Sequence, residues 1–185
     1  MNAEDRFNAL YRAHHGAMLR YACRRTDHDT ARDVVAETFL IAWRKLADVP
    51  VEPGLAEPWL YGVARRVLAN ADRSQRRMLR VAARLSQQGQ EVEAPDPAAG
   101  IAERARLAQA LQRLAEPDRE ALRLVGWEEL DLAGAALAMG CSRSAMAVRL
   151  HRARRRLDRA LRSIETGEQQ PAAIRPRQKI QQETR

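Results

Sequence analysis

The stretch from Asp131 to Leu161 constrains this chain more than any other. Ala136 and Gly140 stand four apart and Met146 follows six later, the spacing of two packed helices joined by a tight turn. Ala136 is small enough for a close helix crossing. Gly140 can adopt the positive φ that ends the first helix, and Ser142 suits the N-cap of the second. Met146, Leu150, Ala153, Leu157, Leu161 and Ile164 recur every three or four residues, which gives the second helix one apolar stripe. Arginines crowd its other faces. A basic helix after a glycine turn is the helix-turn-helix pattern, in which the second helix enters the DNA major groove. An ordinary helical hairpin with a solvated arginine face would share part of this pattern.

Charge supports a phosphate-bearing partner. Thirty of the 32 basic residues are arginine, and the net charge is +8. Arginine suits bidentate contacts with phosphate and guanine, although an anionic membrane surface would attract the same charge. No apolar run reaches the length of a membrane span, and MNAEDRFNAL lacks the basic-then-apolar order of a signal peptide, so a cytoplasmic chain without membrane insertion is expected. Cys23 and Cys141 belong to no CxxC motif or zinc-spaced cluster, and the adjacent His14 and His15 cannot share one helix face. There are no paired carboxylates at metal spacing, no HExxH and no phosphate-cradling glycine loop. A chain that is not an enzyme and needs neither metal nor cofactor is the expectation. β-branched residues are few, so the fold class is all-α.

Taken in order, a first helix is expected from about Glu4 to Arg25, with Asp27 capping a second from about His28 to Leu46. In this second helix Val35, Phe39, Ala42 and Leu46 form an inner stripe. Asp33, Glu37, Leu40 and Arg44 lie opposite, with Val34 and Ile41 beside them. A helix apolar over more than one face is either deeply buried or covered by a partner, and in so small a unit a partner surface is favoured. The loop from Ala47 to Glu57 carries Val49, Val51 and Leu55, an apolar content unusual in a connector. A third helix begins near Pro58 and ends in a second arginine cluster. Residues 86–100 (SQQGQEVEAPDPAAG) read as a flexible acidic linker. Two small helical domains are therefore expected, 1–85 and 101–164, free to move about the linker, with a disordered tail over 165–185.

The pieces ARDVVAETFLIAWRKL, PWLYGVARRVLAN, LAEPDREALRLVGWEELDLAGAALAMGCS and AVRLHRARRRL, in this order and split by a variable linker, resemble the bacterial extracytoplasmic-function sigma factors. The resemblance covers about residues 5–84 and 103–162. It implies a sigma region 2 bundle followed by a region 4 helix-turn-helix. By the same resemblance, the chain binds core RNA polymerase through β′ and the β flap and directs it to promoter DNA, and an anti-sigma factor is an expected partner. Asp33, Glu37, Leu40 and Arg44 would dock on β′. Arg65, Arg66, Asn70, Arg73, Arg76 and Arg77 would track the −10 element, with the apolar loop holding an unstacked base. On the last helix, Ser144, Ala147, Val148, His151, Arg152 and Arg155 would face the −35 element, with Arg143, Arg149 and Arg154 on flanking phosphates. The chain departs from many relatives at Arg66, Asn70, Gly134 and Ala147. Two other readings compete. One is a helix-turn-helix regulator that never binds polymerase; the other is a recombinase-like enzyme, for which no nucleophile with supporting groups is found.

Overall fold

A computed structural model of the chain describes residues 2–83 and 99–166, with side chains of 75–83 and 99–101 excepted. Nearly all of the expected linker and tail, and Arg84, lie outside these residues. The described residues form seven α-helices and no strand. They are α1 (Ala3–Cys23), α2 (His28–Arg44), α3 (Ala56–Ala83), α4 (Ala99–Gln112), α5 (Glu116–Gly126), α6 (Leu132–Met139) and α7 (Arg143–Glu165), with a single 3₁₀ turn at Leu46–Asp48.

Local chemistry sets the helix ends. The Asn2 side chain accepts from the Asp5 backbone N–H at 2.7 Å, which opens α1 with a capping box. Asp27 caps α2 through the Thr30 N–H, and that bond holds its carboxyl down to about 2. Gly140 sits at φ 65° and closes α6 with a left-handed residue, as its place in the sequence requires. Ser142 then accepts from the Ala145 N–H and starts α7.

Helices α1, α2 and α3 pack together as a first unit around Met18, Tyr21, Val34, Phe39 and Leu60. Val34, expected beside the outward stripe of α2, is 2% exposed. Both α1 and α3 lie against α2, so its buried arc is wider than one stripe. Helices α4 to α7 form a second unit in which α7 lies against α4, α5 and α6. Met146, Leu150 and Ala153 are its buried stripe, as the spacing predicts.

In this structure the two units are packed on one another. One hydrophobic cluster runs through both, from Leu10 and Phe39 in the first to Leu124 and Met146 in the second. The crossing is made by α6 on α3. Helix α6 is built mostly of small residues, and Ala135, Ala136 and Ala138 are buried. Gly62 of α3 faces it so closely that a Cβ there would stand 3.1 Å from the Ala138 carbonyl oxygen. Small residues on both sides let the two backbones meet.

Candidate nucleic-acid interface

Three surfaces hold the residues singled out from the sequence. On α7, Met146, Leu150 and Ala153 turn inward, and this fixes what turns out. Arg143, Ser144, Ala147, Val148, His151, Arg152, Arg154 and Arg155 are exposed, while Arg149 is half-buried. Val148 is 50% exposed, an apolar side chain held in water among arginines. Between α7 and the start of α5 runs an open groove of about 590 Å³, lined by Ser144, Val148, Arg149 and Arg152, with Asp118 and Arg156 along its side. Asp118 is 6% exposed and forms an ion pair with Arg156. Sequence reasoning missed this pair. An acid in the first turn of α5 reads as a favourable partner for the helix dipole and nothing more.

The second surface is the outer side of α2. Asp33, Glu37, Leu40 and Arg44 are all exposed. Leu40 is 41% and Trp43 45% exposed, so the face is apolar at its centre and charged at its rim. The inner side of the same helix packs rings. Phe7 meets Trp43 edge-on at 5.2 Å, and Tyr11 meets Phe39 at 4.8 Å. Trp43 therefore belongs to both sides, in ring contact with Phe7 and still partly open to solvent.

The third surface is the flank of α3. Arg66, Asn70 and Arg73 are exposed, and Arg73 donates to the Asn70 side chain. Arg76 and Arg77 lie on the same helix, with side chains beyond those described. Arg65 is half-buried and its Nε approaches the Ala138 carbonyl at 3.4 Å. It points into a cleft of about 560 Å³ between the two units, where Arg25, Arg65 and Arg73 face Glu116, Arg119 and Glu120. In the loop before α3, Val51 is 78% exposed, whereas Val49 is buried and its carbonyl accepts from Arg6 at 2.6 Å. The apolar loop thus divides into an anchor and an outward residue.

Beside the cleft lies a buried ionic cluster. Arg25 donates to Glu120 through Nε and Nη2 at 3.0 and 3.1 Å, and to Glu128 through Nη1 at 3.0 Å. The three side chains are 6%, 4% and 3% exposed. Tyr21 donates to Glu120 at 2.7 Å, and the Arg25 guanidinium stacks over the Tyr21 ring at 3.6 Å. Arg24 adds a 2.7 Å bond to Glu128. Burial, and then the charge of Glu120, pushes the Tyr21 phenol well above its ordinary range, so it stays a donor. Charges this buried contribute little net stability together, but removing one partner costs about 3–5 kcal/mol.

Among the described residues no group of three metal-binding side chains forms and no helix is long and apolar enough to cross a membrane. Cys23 is exposed and Cys141 half-buried, both as free thiols.

Comparison with known proteins follows the same division. The family described as Sigma-70 region 2 matches residues 10–78, and Sigma-70, region 4 matches residues 104–157. The ECF RNA polymerase sigma factor SigL of Mycobacterium tuberculosis is 32% identical over 158 residues, 84% of this chain and 89% of that protein. Of solved structures, the sigma factor RpoE in complex with the anti-sigma factor NepR from Bartonella quintana aligns with a TM-score of 0.61 at 24% identity, over 84% of this chain and 96% of that one. CnrH in complex with the cytosolic domain of CnrY aligns with a TM-score of 0.58 at 26% identity, over 85% and 88%.

Proposed function

Because the chain belongs to the extracytoplasmic-function RNA polymerase sigma factors, we propose that its first unit takes core polymerase and the −10 element while its second reads the −35 element. It binds core RNA polymerase and directs it to promoters for transcription initiation. The domain limits proposed are 1–85 and 101–164, with 86–100 as the connection. The observation that carries the division of labour is α2. Its inner side is needed for the core, and its outer side presents Leu40 and Trp43 within a rim of Asp33, Glu37 and Arg44. An apolar centre with a charged rim is the anatomy of a protein interface, and nothing in a helix-turn-helix regulator acting alone would need it.

The α7 residues divide by what they can do. Ala147 and Val148 offer only apolar contact, as to a thymine methyl; His151 and Arg152 donate to guanine edges; Arg143, Arg149 and Arg154 hold phosphates, with Ser144 and Arg155 beside them. In the first unit Arg65, Arg66, Asn70, Arg73, Arg76 and Arg77 make the −10 track, and Val51 offers an apolar surface for an unstacked base. The protein regulates initiation with no catalytic site of its own, and its place of action is the cytoplasm, where polymerase works. An anti-sigma factor is a proposed partner, as the similarly folded RpoE and CnrH were each solved with a bound partner, NepR and the cytosolic domain of CnrY.

The test is a double substitution on the outer side of α2. Glu37→Arg with Leu40→Asp abolishes copurification with core polymerase while helicity and melting stay near wild type. Undiminished capture of polymerase by the folded variant would sink the assignment, and loss of folding would make the stripe structural.

A further inference from the structure

Helix α7 runs for 23 residues, about 35 Å, whereas the major groove is about 12 Å wide. Only its first turns can meet base edges. The bonding of its arginines changes partway along. The side chains of Arg149, Arg152, Arg154 and Arg155 have no hydrogen-bond acceptor among the described residues. From Arg156 onward each arginine is engaged. Arg156 pairs with Asp118, Arg159 brings its Nε to 3.4 Å from the Arg155 carbonyl, and Arg162 pairs with Asp158 at 2.9 Å. The last two contacts are exposed and lie within α7, so they hold little. Asp118 alone comes from another helix, and it alone is buried.

Asp118 stands in the first turn of α5, 38 residues before its partner. The carboxylate is buried while the Arg156 side chain is half exposed. A carboxylate stripped of water needs a cation, and Arg156 supplies it. The pair sits in the wall of the groove that Val148, Arg149 and Arg152 also line. Arg152 and Arg156 are four apart, neighbours on one face of α7. Two unpaired guanidiniums at that spacing repel each other, and both would take phosphate. With Asp118 in place, Arg156 is neutralised and tied to α5. Arg152, one turn nearer the helix start, keeps its N–H groups for DNA.

We infer that Asp118 is a positioning residue for promoter discrimination: it holds Arg156 against α5 and so ends the DNA surface of α7 at Arg155. This rests on α7 reading the −35 element, as proposed above. Phosphate contacts carry no sequence information of their own, whereas base edges do. An untethered Arg156 would follow whichever phosphate a register offered. On the correct element the base contacts fix the register, and Arg156 must accept what that register brings. Wrong sites impose no such limit, so they gain more from a free Arg156 than the right one does. Specificity is a difference of affinities, and withdrawing a cation that favours wrong registers widens it.

The full-length chain tests this on a mixed-sequence duplex, read by fluorescence anisotropy over a series of salt concentrations. In Asp118→Asn the amide oxygen still accepts but carries no charge, and a phosphate outcompetes it. That variant steepens the salt slope by about one unit and tightens binding about fivefold at the lowest salt. Arg156→Gln leaves the slope near that of wild type, because the paired guanidinium releases no counterion. Asp118→Asn with Arg156→Gln returns to the wild-type slope, and it keeps the test readable if the single arginine variant melts early. Asp158→Asn makes the same change of charge in an exposed pair of α7 and moves the slope by less than about half a unit. In the polymerase holoenzyme, Asp118→Asn lowers the preference for the intact −35 element over its single-base variants by about threefold. An unchanged slope in Asp118→Asn overturns the withdrawal of Arg156. A gain that survives in the double variant, or that Asp158→Asn matches, is a general charge effect and overturns it too. Loss of affinity on every sequence together with a lower melting temperature makes the pair structural only. A steeper slope with unchanged preference in the holoenzyme overturns the role in discrimination. Absence of any −35 preference in the wild-type holoenzyme overturns the reading of α7 itself, and the duplex slopes, measured without polymerase, stand apart from it.

Discussion

Helices α3 and α7 are both long, basic and built on an apolar stripe, yet they hold their arginines differently. Helix α7 buries Met146, Leu150 and Ala153 on one side and leaves Arg152, Arg154 and Arg155 in water on the other. Helix α3 is held from two directions. Leu60 and Tyr61 are buried, while Gly62 and Arg65 face α6. An arginine cluster therefore announces affinity for phosphate but not availability. Availability depends on what packs against the remaining faces, and here the second unit covers part of the first unit's charge while keeping its own exposed.

The largest effect expected concerns whether the two helices stand in one cooperative body. Met146 is 0% exposed and belongs to the hydrophobic cluster that also contains Leu60 and Phe39. Met146→Ala lowers stability by about 2–5 kcal/mol through lost burial and the cavity left behind. Because the cluster is continuous, calorimetry should show one common transition moving to lower temperature. Two transitions, with only one displaced, would mean that the units are energetically separate and that the contrast between α3 and α7 lies in two independent domains.

Arg152 and Arg65 give a smaller and sharper contrast. Arg152→Ala costs about 1–3 kcal/mol at one position of the −35 element and relaxes preference there, measured over single-base variants of a bound promoter. Equal loss on every variant would reduce its role to positioning. Arg65→Ala changes DNA binding by the free chain by less than about twofold, since its Nε already faces the Ala138 carbonyl, and a reduced effect is what a covered phosphate site should give. In the polymerase holoenzyme the same substitution slows promoter opening. A strong effect in the free chain would show that the cleft does not shield it.

The helix-turn-helix was legible almost residue by residue, because its signals are local. The left-handed Gly140, the Ser142 cap and the inward spacing of Met146, Leu150 and Ala153 each follow from a few neighbouring residues. The two-sided character of α2 was legible for the same reason, apart from Val34, which two neighbouring helices enclose. The union of the two units was not legible. Arg25 and Glu120 are 95 residues apart, and on an isolated helix Glu120 reads as a surface carboxylate. The small residues that let α6 cross α3 leave no periodic apolar signal. Asp118 and Arg156 were missed for a like reason, since only the fold brings the start of α5 to α7.

The smallest effect separates an arginine in water from one engaged by its own helix. Arg154 lies exposed on α7, and the proposed reading assigns it a phosphate and no base. Arg154→Ala should weaken binding to all promoters alike and lower the salt slope by about one unit, because one fewer counterion is released. Arg73 is equally exposed but gives an N–H to Asn70 three residues before it. A phosphate must displace that bond or share the guanidinium with it, so Arg73→Ala should lower the slope by less. Binding of one duplex promoter fragment, titrated over a series of salt concentrations for the two variants side by side, reads the difference directly. Equal slopes would show that the Asn70 bond leaves the guanidinium as available as that of Arg154, and the contrast between the helices would then rest on coverage by the second unit alone.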